Sequence, residues 1–128
     1  MEKIVLKNIT CYIVSDEEIW RGKIILKKDG TFNGIANDDF CASFLSGMLF
    51  QDCIEFSLTH HDNMDESYSL KNSGSFNNYK YYNGTWTDTR GKTEECYLAL
   101  EEISSDTLED DIKKLEKKIT DFNKKRKA

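Results

Sequence analysis

The sequence predicts a mainly β chain, an antiparallel meander barrel of about seven or eight strands, followed by one C-terminal amphipathic helix. Three observations carry this reading. Short segments rich in β-branched and aromatic residues alternate with polar turn clusters along residues 1–105. An Asp-Gly pair, Asp29-Gly30, sits between apolar runs and marks a tight hairpin. Beyond residue 105 the spacing changes, and Leu108, Ile112, Leu115, Ile119 and Phe122 fall at the alternating four- and three-residue steps of a helical seam.

Residues 3–14 (KIVLKNITCYIV) read as the first strand, ended by the polar turn Ser15-Asp16-Glu17-Glu18. From Trp20 to Lys28 the residues Trp20, Ile24 and Leu26 share one parity, with Gly22 between, and after the Asp29-Gly30 turn Phe32, Gly34 and Ala36 share a face. Strands follow at 42–50 and 53–59, joined near Gln51-Asp52, and then the acidic loop His60-His61-Asp62-Asn63-Met64-Asp65-Glu66. Two more strands, 67–71 and 75–87, are separated by Asn72-Ser73-Gly74, and the turn Asp88–Lys92 leads to a last strand at 93–103. A meander of this size removes its exposed edges by closing on itself. The helix is expected over 106–125, opened by a capping box from Asp106 and Glu109, with acidic residues in its first turns and lysines in its last. The division is therefore a barrel domain, 1–105, and a helix, 106–128, that packs on the barrel or on a partner.

At 128 residues, with 12% aromatic and 38% hydrophobic side chains, the chain can bury one core. It contains no proline, and its Lys and Asn usage suits an AT-rich bacterial or phage genome. No apolar run approaches the roughly 18 residues of a membrane span, and Met1–Lys7 lacks a signal-type apolar stretch. A cytoplasmic location is the expectation, with Cys11, Cys41, Cys53 and Cys96 as free thiols. Residues 1–105 carry a net charge of −7 and residues 106–128 a net +2. An acidic body disfavours duplex nucleic acid as a partner, since phosphate contacts need a basic face.

The segments Trp20-Arg21-Gly22-Lys23 and Gly30-Thr31-Phe32-Asn33-Gly34 resemble the opening hairpin of avidin-like and other calycin barrels. Tyr82-Asn83-Gly84-Thr85-Trp86-Thr87-Asp88, with Arg90-Gly91-Lys92, resembles the closing strands of the avidin family. The resemblance implies a calycin-like barrel. It does not imply biotin binding: the polar segment that holds the ureido group is unmatched, the family's ligand tyrosine falls at Ala36, and its late-strand tryptophan falls near Tyr97.

Candidate chemistry is sparse. His60, His61, Asp62, Asp65 and Glu66 form the one cluster of metal-ligand types, but adjacent residues of an extended segment point to opposite sides, so a solvated loop is expected and no metal. A Cys–His nucleophile needs Cys41 or Cys53 beside that loop, and Glu55, sharing a parity with Cys53 and Ser57, has no acid–base partner. The basic end Lys124-Lys125-Arg126-Lys127 reads as a solvated helix terminus. No catalytic constellation can be named and no cofactor is implied.

The function expected is therefore a non-enzymatic binding protein, taking a small ligand in the barrel interior or on an exposed aromatic face. Its candidate residues are Trp20, Phe32, Phe76, Tyr82, Trp86 and Tyr97, with small Gly22, Gly34, Ala36 and Gly84 leaving interior volume. Strand parity puts Phe76 with Tyr82 and Trp86, and Tyr79 with Tyr81 on the other face. The alternative is a protein-interaction or inhibitor protein of phage or immunity type, acting through its acidic surface or its helix. In that case the seam Leu108, Ile112, Leu115, Ile119 and Phe122 provides a homodimer contact.

Overall fold

The alternating apolar pattern of the first hundred residues closes into a single sheet in the computed structural model, which describes residues 5–37, 42–60, 65–103 and 108–127. The elements are β1 (Val5–Ile13), β2 (Glu18–Leu26), β3 (Thr31–Asn37), β4 (Ala42–Leu49), β5 (Cys53–Thr59), β6 (Asp65–Phe76), β7 (Tyr79–Thr87), β8 (Thr93–Glu102) and α1 (Leu108–Lys127). Each strand pairs antiparallel with the next, and β8 returns to β1 from Lys7↔Glu102 to Ile13↔Cys96. The result is a closed eight-stranded meander barrel followed by one helix, an architecture consistent with a calycin-like fold.

The β2–β3 hairpin forms where the Asp-Gly pair placed it. Gly30 takes φ +93°, Lys27 and Thr31 pair across the turn, and the Asp29 carboxylate accepts from the Thr31 amide and hydroxyl. The β6–β7 connection differs from expectation. Asn72-Ser73-Gly74 is not a turn but a bulge within a long β6, and the turn lies at Asn77-Asn78, where Asn77 adopts φ +57°. This relocates Phe76: it pairs with Tyr79 and stands 68% exposed, on the side opposite Tyr82. A two-residue turn restarts the alternation, so a period of two cannot be carried through it.

The barrel interior is a packed core. Trp20, Phe32, Phe56, Tyr68, Tyr82 and Trp86 fill it with Ile9, Ile24, Leu45, Ile54, Leu70, Leu98 and Leu100. Phe56 stacks on Tyr68 with ring centroids 4.6 Å apart, and Trp20 meets both edge-on. The small inward residues do not leave a ligand cavity. A Cβ on Gly22, Gly34 or Gly84 would collide with backbone of the adjoining strand, at Ile35, Lys23 and Ser69 respectively. Glycine there permits the close strand approach of a tightly coiled barrel rather than thinning the wall.

α1 lies on the outside of the barrel. Its residues Leu115 and Phe122 are buried with Leu6, Ile25 and Ile35, and Ile112, Ile119, Ala42, Phe44 and Ile103 complete the cluster. Phe122 stacks on Phe44 at 6.2 Å. Burial contributes roughly 1.5–3 kcal/mol for each such large side chain, and this packing, more than propensity, holds a surface helix. The seam thus covers the chain's own sheet. Asp106 and the Leu108 side chain lie outside what is described. Among the described residues, no helix is long and apolar enough to cross a membrane.

Candidate binding site

The fold distributes the six aromatic candidates over two surfaces. Trp20, Phe32, Tyr82 and Trp86 point into the packed core. Phe76 lies outside, and so does Tyr97, 47% exposed between inward Cys96 and Leu98. Tyr79 and Tyr81 stack on each other at 6.1 Å on the outer wall. The Trp86 Nε1–H is buried without a hydrogen-bond acceptor among the described residues.

One end of the barrel carries a polar chain that pattern reading missed. The Trp20 Nε1–H donates to the Tyr68 hydroxyl at 3.2 Å, and that hydroxyl donates to Glu66 Oε2 at 3.1 Å. Glu66 Oε1 stands 2.6 Å from His60 Nε2, and His60 Nδ1 stands 2.8 Å from the Ser43 hydroxyl. The signal was available. His60 continues the inward parity of Ile54, Phe56 and Leu58, and Glu66 that of Tyr68 and Leu70. Burial, then the Glu66 charge, push the Tyr68 phenol up, so it remains a donor at neutral pH.

Ser43, His60 and Glu66 have the connectivity of a nucleophile, base and orienting acid. Three features count against catalysis. Ser43 is only 2% exposed, the ring presents Nδ1 rather than Nε2 to it, and the adjoining recess is about 30 Å³. That volume suits about one water. The chain instead satisfies the polar groups that close this end of the barrel.

The other sequence candidates separate. His61 and Asp62 lie outside the described residues, as does Cys41. Among those described, no group of three His, Cys, Asp or Glu side chains could hold a metal ion. Cys53 sits with Glu55 and Ser57 on the outer wall, at the far end of β5 from His60. Cys11 and Cys96 are buried free thiols inside the barrel. They are diagonal neighbours, since Cys11 faces Leu98 and Cys96 faces Ile13. Diagonal Cα atoms lie about 7–8 Å apart, beyond ordinary disulfide reach. The contact with Cys96, and then burial, push the Cys11 thiol up and keep it protonated. Lys124 is exposed, and the side chains of 125–127 are outside those described.

A concavity on which several cationic side chains converge lies on the outer wall. A groove of about 430 Å³ runs along β2, with Ile19, Ile35 and Leu115 as its apolar surface and Asn8, Arg21, Asn37, Lys23 and Lys118 around them. Strand register explains the grouping. Asn8, Lys23 and Ile35 form one row across β1, β2 and β3, and Thr10, Arg21 and Asn37 form the next. Arg21 and Lys23 therefore project from the same strand face about 7 Å apart, with only neutral side chains opposite. Neither they nor Lys118, which α1 brings in from the side, form an ion pair among the described residues. In a chain with 23 acidic residues and a net charge of −5, that grouping of unpaired cations stands apart.

No family model matches this chain, and no curated protein and no solved structure matches it.

Proposed function

We propose that this protein is a non-enzymatic binding protein that takes a small organic anion in the groove between α1 and the β1–β3 wall. The carrying observation is the set Arg21, Lys23 and Lys118, without an ion pair among the described residues, around an apolar floor that includes Ile19, 48% exposed. Like charges side by side on a strand repel, and an anion seated between them removes that cost. The groove volume of about 430 Å³ falls in the range of small-ligand sites. Of the two surfaces expected from sequence, the interior is occupied by the chain's own aromatic rings, so the reading moves to the outer wall.

Isothermal titration with hexyl phosphate, an anion carrying an apolar tail, tests this. Binding should weaken at least tenfold, about 1.4 kcal/mol, in Arg21→Ala and Lys23→Ala, and should fall with added salt. Lys27→Ala, in the β2–β3 turn, should leave it unchanged. Binding unaffected by the groove changes would contradict the proposal.

A second reading rests on the exposed aromatics at the β6–β7 hairpin, Phe76 and Tyr81, which together suit a protein partner. Phe76→Ser should then abolish capture of that partner without altering anion binding.

A further inference from the structure

Building on the groove reading, we propose that its ligand carries two adjacent anionic groups on an apolar body, the chemistry of an organic diphosphate. A second groove of about 380 Å³ adjoins the first, lined by Lys23, Leu115, Lys118, Lys114 and Lys117. Lys23, Leu115 and Lys118 belong to both, so the two form one continuous furrow along the edge of α1.

The furrow is chemically graded. Its exposed apolar side chain, Ile19, belongs only to the β1–β3 part, where the body of the ligand rests. Arg21, Lys23 and Lys118 face a first anionic group beside that body. Lys114, one turn before Lys118 on α1, and Lys117, next to Lys118, face a second. Lys114 and Lys118 are one helical turn apart, about 6 Å, so adjacent charges of one ligand can engage both sets. Asp111 and Asp121 lie in the same part of the furrow, one turn beyond Lys114 and Lys118 respectively. Lys114 and Lys117 form no ion pair among the described residues, which leaves their charge available to the ligand.

A single anion would need only the first set. The second set gives a diphosphate an advantage over a monophosphate bearing the same tail. Titration of the full chain with hexyl phosphate and hexyl diphosphate measures that difference. The diphosphate should bind about tenfold tighter or more. The double change Lys114→Ala and Lys117→Ala, at two exposed positions, should bring the diphosphate to the monophosphate's affinity and leave the monophosphate unchanged. Equal affinity of the two esters for the native protein, or equal weakening of both by the double change, would overturn the two-anion inference while the groove reading stands. If neither ester bound the native protein, both would fall.

Discussion

Gly22 and Ala36 face each other across the β2–β3 ladder on the inner wall of the barrel. The pair suggests a thinned wall with room for a ligand, but the backbone occupies that room. A Cβ on Gly22 would fall inside contact distance of the Ile35 carbonyl oxygen and the Ala36 Cα. Ala36 itself is 2% exposed within the core. Gly22→Ala and Ala36→Phe should therefore each destabilise the fold, by about 1–3 kcal/mol as overpacking commonly does. Denaturant melts measure this. An Ala36→Phe protein as stable as the native one would show that interior volume exists after all.

The Tyr68 hydroxyl joins Trp20 to Glu66 at the closed end of the barrel. Tyr68→Phe leaves the ring in place but removes the acceptor for a buried indole N–H and one donor to a half-buried carboxylate. The expected cost is about 1–3 kcal/mol, read as a lower denaturation midpoint with an unchanged slope. A neutral result would mean that this polar chain contributes no net stability.

Particular residues show how much of this was legible in the sequence. The Asp29-Gly30 turn and the α1 seam were plain, because one rests on a local backbone preference and the other on a single helical period. The β6–β7 hairpin was not. Asn72-Ser73-Gly74 has better turn chemistry than Asn77-Asn78, and only pairing with β7 reveals that the glycine belongs to a bulge. His60 and Glu66 looked like loop residues although both keep the inward parity of their strands. Ser43 lies seventeen residues before His60 and meets it only through the register of β4 against β5. The groove was invisible for the same reason. It needs the register that sets Lys23 between Asn8 and Ile35, and then a helix some ninety residues later to supply Lys118.

Several carboxyl groups are held below their ordinary values by hydrogen bonds. Asp29 accepts from Thr31, Glu94 from Lys92 and Ser15, and Glu101 from Asn8 and Tyr79. A carboxyl group depressed on folding contributes stability above its unfolded value and loses it as pH falls through its folded value. Stability from these groups should therefore be full at neutral pH and decline below about pH 4, the ordinary carboxylate range. Glu94→Gln with Glu101→Gln should reduce the difference between melting temperatures at pH 7 and pH 3. An unchanged difference would assign acid sensitivity to other groups.

The most direct test of the central claim, that ligand binding uses the outer groove and not the barrel interior, is a ¹H–¹⁵N NMR titration of the full chain with hexyl phosphate. The account predicts that the backbone amides of Arg21, Lys23, Ile35 and Lys118 shift in a saturable manner, while the indole N–H signals of Trp20 and Trp86 stay in place. Saturable shifts at the two indoles, with the groove amides unmoved, would put the ligand inside the barrel and contradict it.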